Sequence, residues 1–189
     1  MAEVLLFHHA LGLTQGVVAF ADELRSAGHV VHTPDLYDGM TFTEIDAGVQ
    51  YAREVGFGTI LERGGAAVEG LPNELVYAGF SLGVMSAQML TQTRTGAKGG
   101  LFFDAALPAS EFGTWPEGAP AQIHLMENDP SVLEGDLDAA LELEKQVDGV
   151  ELFLYPGDTH LFADSSLPWY DEAAAGLLKE RALSFLGRV

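Results

Sequence analysis

Short apolar runs alternate with longer segments of helical periodicity along the whole chain. The runs predict six β-strands, at residues 4–8, 30–33, 75–77, 101–103, 123–126 and 152–155. Most of these runs are continuously apolar and do not alternate with polar residues. That pattern is typical of strands that are buried on both faces of a sheet.

Five amphipathic segments lie between and after these strands and predict helices. The first has an apolar stripe over residues 17–24 and ends at Gly28, a residue that is common at helix C-termini. The others cover residues 43–61, 84–93, 132–147 and 170–186. Strands alternating with helices predict an α/β fold, with a mostly parallel sheet of about six strands and helices on both faces. The length of 189 residues predicts one domain over the whole chain.

Composition excludes several classes of function. Lys and Arg number 9 against 28 Asp and Glu, so the formal charge of −19 disfavours binding to nucleic acid or to anionic membranes. The absence of Cys excludes thiolate metal sites and a cysteine nucleophile. No apolar run approaches the roughly 20 residues of a membrane helix, and the first residues lack the pattern of a signal peptide. The expectation is a cytoplasmic protein, either a monomer or a homodimer.

The sharpest local motif is Gly-Phe-Ser-Leu-Gly at residues 79–83. It follows a predicted strand and precedes a predicted helix, which is the context of a nucleophile elbow. The turn is so tight that both flanking positions must lack a side chain, and it exposes the hydroxyl of Ser81 above the sheet. The backbone N–H of Leu82, next to the helix N-terminus, is a candidate donor to a developing oxyanion. Ser81 is therefore the candidate nucleophile.

A serine nucleophile needs a base and an acid, which follow it in the order acid, then His, in this kind of fold. His160 lies in the loop after the last predicted strand and is the candidate base, whereas His124 lies inside a strand. Asp129, which follows the fifth strand, is the favoured acid. Glu127 and Asp104 remain as alternatives to it.

The loop after the first strand, from His8 to Gly12, supplies a second candidate oxyanion donor. The N–H of Ala10 is preferred and that of Leu11 is the alternative. Adjacent positions on a strand point to opposite faces, so His8 and His9 do not predict a metal site, and no cofactor is expected. Candidate pocket residues are His9, Leu11, Trp115 and Phe162.

Taken together, the chain resembles the dienelactone hydrolase family of α/β-hydrolases. The matching segments are residues 9–13, 28–31, 34–37, 79–83 and 155–162, together with Asp129. The resemblance implies a compact hydrolase sheet without a lid domain. It also implies that Ser81, Asp129 and His160 occupy the triad positions.

Three departures from the family pattern bear on the substrate. Dienelactone-type members carry a cysteine nucleophile where Ser81 stands, and an acidic residue where His9 stands. The arginine expected soon after Pro-Asp-Leu-Tyr at residues 34–37 is absent, so a carboxylated lactone is not the expected substrate. The hypothesis is a serine hydrolase of a small ester, thioester or lactone. A non-catalytic binding protein and an acyltransferase that uses the same residues are the alternatives.

Overall fold

A single parallel sheet organises the chain. The computed structural model describes all residues, 1–189, and its six strands are β1 (Glu3–Phe7), β2 (Val30–His32), β3 (Val76–Phe80), β4 (Gly99–Phe103), β5 (Ala121–Met126) and β6 (Val150–Tyr155). Their order across the sheet is β2-β1-β3-β4-β5-β6, and every neighbouring pair is parallel. The predicted fold class is confirmed.

Six α-helices connect and follow these strands. They are α1 (Gln15–Ser26), α2 (Ile45–Val55), α3 (Phe57–Ala66), α4 (Gly83–Thr93), α5 (Asp136–Gln146) and α6 (Glu172–Leu186). The prediction of one helix over residues 43–61 is wrong, because Gly56 adopts a φ of 90° and separates α2 from α3. None of the six combines the length and the apolar character that crossing a membrane would require.

The two faces of the sheet carry separate apolar cores, because successive side chains of a strand point in opposite directions. Helices α2, α3, α4 and α5 pack on the face that includes Leu5 and Phe7. Helices α1 and α6 pack on the face that includes Val4 and Leu6. A sheet covered on both faces is accessible to ligands mainly at its edges, where the loops lie.

The loops at the carboxyl edge of the sheet meet where the strand order reverses. From β1 the chain crosses to β2 on one side, and from β3 it proceeds through β4, β5 and β6 on the other. In open parallel sheets, ligands bind beyond the carboxyl ends of the strands at this point. The site should therefore lie where β1 and β3 end.

Helix α4 begins unusually close to β1. A Cβ atom at Gly83 would lie 2.6 Å from the Phe7 carbonyl oxygen and 2.7 Å from that of His8. Both contacts are to backbone, which moves less easily than a side chain. Only glycine therefore allows the helix to start directly above the end of β1.

We expect Gly83→Ala to lower the free energy of unfolding by about 3 kcal/mol, because overpacking against backbone costs 1–3 kcal/mol or more. Gly176→Ala in α6 is the matched control, since nothing lies within 4 Å of a Cβ there. The control should be stabilised by roughly 0.5–1 kcal/mol through helix propensity. Urea unfolding followed by circular dichroism measures both, and equal stability of the two variants would contradict the prediction.

Candidate active site

Ser81 lies on a strained turn between β3 and α4. Its φ is 46°, in the left-handed region that a non-glycine residue seldom adopts. The turn is held by the Ser81 N–H, which donates to the Phe103 carbonyl at 2.7 Å, and by the Val84 N–H, which donates to the Ser81 carbonyl at 2.9 Å. A Cβ at Gly79 would lie 2.4 Å from the Gly83 backbone, which explains the glycine on the other side of the serine.

Ser81, His160 and Asp129 form one hydrogen-bonded row. The Ser81 hydroxyl and His160 Nε2 are 2.8 Å apart, and His160 Nδ1 and Asp129 Oδ2 are 2.6 Å apart. The partners assign the proton of the neutral ring to Nδ1, which leaves Nε2 free to accept the serine proton. The three side chains come from the loops after β3, β6 and β5, which are far apart in sequence.

Asp129 is the carboxylate that reaches His160, and the two alternatives are placed differently. Its other oxygen, Oδ1, accepts the Ser131 N–H at 2.9 Å, and the residue is only 1% exposed. Glu127 is exposed, and its side chain accepts a hydrogen bond from Asn128 and none from His160. Asp104 is buried near the row but makes no hydrogen bond to the imidazole.

The surroundings of His160 favour its protonated form. Burial by itself would lower the pKa of His160, but the hydrogen bond to Asp129 and the charges of Asp104, Asp129 and Asp136 outweigh burial and raise it. Its backbone is also held, because Trp169 Nε1 donates to the His160 carbonyl at 2.9 Å. A raised pKa suits a base that must take a proton from a hydroxyl.

The two preferred oxyanion donors are both free. Neither the Ala10 N–H nor the Leu82 N–H donates a hydrogen bond within the protein. The Leu11 N–H, the alternative to Ala10, is already used, because it donates to His9 Nδ1 at 3.2 Å. Free N–H groups at the ends of β1 and β3 are what a developing oxyanion requires.

Sequence reasoning missed Asp164, which anchors the loop after β1. Its Oδ2 accepts hydrogen bonds from His9 Nε2 at 2.7 Å and from the Thr14 hydroxyl at 2.6 Å. Burial alone would raise the pKa of Asp164, but its hydrogen bonds, the one from His9 first, lower it to about 2. The only signal in the sequence is Asp-Ser-Ser at residues 164–166, since Asp164 Oδ1 accepts the Ser166 N–H in an Asx turn.

His8 and His9 both have structural partners. His8 Nδ1 donates to the His9 carbonyl at 2.8 Å and Nε2 accepts the Leu36 N–H at 2.9 Å. Burial lowers the pKa of His8 to about 4, so the ring is neutral at pH 7. No three His, Cys, Asp or Glu side chains are grouped to hold a metal ion.

The four candidate pocket residues do not line an open cleft at Ser81. His9, Leu11 and Phe162 are completely buried, and Phe162 packs on Tyr155 with 5.2 Å between ring centroids. Trp115 lies at the opposite edge of the sheet, where its Nε1 donates to Ala119 just before β5 begins. The prediction that Trp115 lines the pocket is wrong. The chain after β4 runs from the carboxyl edge of the sheet to its amino edge before the Trp115 indole is buried.

The family model for the dienelactone hydrolase family matches residues 1–189. The chain belongs to the dienelactone hydrolase family. It is therefore a carboxylic ester hydrolase, and the resemblance noted in the sequence is confirmed. No curated protein sequence matches the chain significantly.

Solved structures of this family and of related hydrolases share the fold. A Klebsiella pneumoniae protein assigned as a dienelactone hydrolase superposes with a TM-score of 0.77 at 15% identity, covering 100% of this chain and 88% of its own. A dienelactone hydrolase-like promiscuous phosphotriesterase from metagenomic libraries gives 0.77 at 18%, covering 100% and 86%. A cold-adapted esterase from an Arctic intertidal metagenomic library gives 0.64 at 19%, covering 95% and 82%.

Proposed function

We propose that this dienelactone hydrolase family member is a serine hydrolase that cleaves a small ester, thioester or lactone through an acyl-enzyme intermediate. The observation that carries the proposal is the row from Ser81 through His160 to Asp129, with contacts of 2.8 and 2.6 Å. The row starts on a strained elbow beside two free N–H groups. The loops at the carboxyl edge of the sheet thus carry the proposed nucleophile, base, orienting acid and oxyanion donors.

Acylation begins when the Ser81 oxygen attacks the substrate carbonyl and its proton moves to His160 Nε2. The carbonyl π electrons move to oxygen, and the tetrahedral intermediate carries one negative charge. His160 then gives the proton to the leaving alcohol or thiol as the bond to the carbonyl carbon breaks. Water then attacks the acyl-enzyme by the same steps, with His160 again as the base, and the carboxylic acid is released.

The free N–H groups of Ala10 and Leu82 support stabilisation of this intermediate. Each fixed donor to an oxyanion contributes roughly 2.7–4 kcal/mol to lowering the barrier where it has been measured. The loop that carries Ala10 is held to the segment after β6, because Asp164 accepts hydrogen bonds from His9 and Thr14. Preorganised donors need no reorientation when the charge appears.

The charges around His160 favour uncharged substrates. Asp104, Asp129 and Asp136 all act on the imidazole, and no Lys or Arg is among the groups that shift its pKa. A substrate carboxylate would meet this field without a guanidinium to pair with. We therefore propose a small neutral ester, and not a carboxylated lactone, as the substrate class.

An activity-based probe tests the proposal directly. We expect one fluorophosphonate adduct on the native protein by intact-mass analysis, and none on Ser81→Ala or His160→Ala, because phosphonylation needs the activated serine. Acid-unfolded protein is the control for random labelling. Well-folded native protein that remains unlabelled would overturn the proposal and favour a binding protein of the same fold.

A further inference from the structure

Asp104 is a buried carboxyl group that the steps above do not use. It is 1% exposed, and neither of its side-chain oxygens has a hydrogen-bond partner. A buried acid without a partner is costly, because an ionised carboxylate loses its hydration and gains nothing in return. Such a group is retained in a stable fold only where another requirement places it there.

The backbone places Asp104 at the same edge as the catalytic row. It follows β4, the neighbour of β3, and its N–H donates to the His124 carbonyl at 2.9 Å. Four non-glycine residues have a positive φ, and three of them, Ser81, Asp104 and Leu161, follow β3, β4 and β6 at this edge. Strain concentrated at one site is typical of functional constraint.

The groups that act on Asp104 come from the segments after β5 and β6. His160 stabilises its charge, whereas Asp129 and Asp164 repel it, and the Leu161 N–H lies near without making a hydrogen bond of good geometry. Burial is the main cause that raises the pKa of Asp104 to about 7. Asp104 therefore changes charge in the same pH range as a histidine.

The aromatic groups next to Asp104 are neutral in this range. Burial lowers the pKa of His124 to about 3, and burial also raises the pKa of Tyr155. Arg181 of α6 lies 5.1 Å from the Tyr155 ring and acts on the tyrosine. Among the groups that act on the charge of Asp104, His160 is therefore the one that can carry the opposite charge.

We propose that Asp104 is a positioning residue for the hydrolytic reaction, and that its buried carboxylate stabilises the imidazolium that His160 becomes when it takes the Ser81 proton. The proposal rests on the catalytic role of His160 proposed above. Asp129 would orient the ring through a hydrogen bond, and Asp104 would act on its charge without one.

Reciprocal coupling follows from this arrangement. Ionisation of Asp104 favours the charged imidazole, and a charged imidazole favours ionisation of Asp104, so the two groups titrate as a pair. No additional proton transfer is required, because the proton still moves only between Ser81, His160 and the leaving group. Asp104 changes the basicity of His160, and the effect should be visible without any substrate.

Asp104→Asn tests the proposal because asparagine keeps the shape of the side chain and tolerates a positive φ. We expect the pKa of His160, followed by the NMR signals of its ring, to fall by about one unit, as for loss of a nearby opposite charge. The acid limb of the kcat/KM profile should move to lower pH by the same amount. Asp158→Asn, an exposed acid close to His160 in sequence, is the matched control and should change neither.

A purely structural role gives a different result. If Asp104 only shapes the turn after β4, Asp104→Asn will alter stability or kcat and leave the pKa of His160 unchanged, and the proposal is then wrong. If the variant does not fold, NMR titration of the native protein labelled with carbon-13 in its aspartates decides between the two roles. A buried carboxyl carbon should titrate near pH 7 together with His160, and the absence of such a signal overturns the proposal.

Two carboxyl groups must be distinguished in the labelled protein. Burial also raises the pKa of Asp136, to about 6, and its Oδ1 accepts the Ala106 N–H at 3.3 Å. Asp136→Asn should remove the signal near pH 6 and leave that of Asp104. Because these titrations need no turnover, their outcome is separate from that of the Ser81→Ala labelling experiment, which tests the hydrolase itself.

Discussion

Replacing Ser81 by alanine is expected to lower kcat for a small neutral ester by roughly 10⁶-fold, the loss seen when such a nucleophile is removed from a serine hydrolase. The proposed acyl-enzyme forms only through the Ser81 oxygen, and no other hydroxyl is hydrogen-bonded to His160. Hydrolysis of a p-nitrophenyl ester with a short acyl chain measures the change.

The fold should survive this substitution. Alanine at position 81 meets the same φ of 46° as serine, so the strain of the turn does not change. Ser86→Ala, in the helix α4 that follows the turn, is the matched control, since the buried Ser86 hydroxyl has no hydrogen-bond partner. The control should keep full activity, and loss of a partnerless buried hydroxyl should not destabilise it. Activity retained by Ser81→Ala would eliminate the serine mechanism.

Replacing Asp129 by asparagine is expected to lower kcat about 10⁴-fold, the effect of the same change in a Ser-His-Asp triad elsewhere. Asp129 Oδ2 now accepts the proton on His160 Nδ1 at 2.6 Å. An asparagine amide can donate to Nδ1, which moves the ring proton to Nε2, where it faces Ser81. The base would then be in the wrong tautomer and unable to accept the serine proton.

A variant of Glu127, one of the alternative acids, serves as the control for Asp129→Asn. Glu127→Gln removes a carboxylate two residues away and should leave kcat within about twofold, because Glu127 is exposed and makes no hydrogen bond with His160. Steady-state hydrolysis of the same ester compares the two variants. A loss of less than tenfold in Asp129→Asn would mean that another carboxylate, with Asp104 as the nearest candidate, orients His160.

Local patterns in the sequence were sufficient for the order of the strands along the chain and for the tight turn at Ser81, but not for the break between α2 and α3. Continuous apolar runs mark strands buried on both faces, and the six predicted strands all appear, with ends shifted by a few residues. Gly79 and Gly83 bracket Ser81 because the backbone itself leaves no room for a Cβ. Such constraints act within a few residues and are therefore visible in one sequence.

Only the tertiary structure decided which distant groups meet. Whether Asp129, Glu127 or Asp104 reaches His160 depends on loop paths after β4, β5 and β6, and these paths are set by packing. The same holds for Asp164, whose partners His9 and Thr14 are more than 140 residues away, at separations of 155 and 150.

Trp115 is another residue whose position the sequence alone did not determine. An aromatic residue in a Gly- and Pro-rich loop after a strand fits either a pocket or a core, and composition does not distinguish them. Sequence determined the tight turn at Ser81, the order of Ser81, Asp129 and His160 along the chain, and the parallel sheet. Tertiary structure decided which carboxylate contacts His160, which backbone N–H groups stay free and that Asp104 is buried, because hydrogen bonds and burial depend on which chain segments pack together.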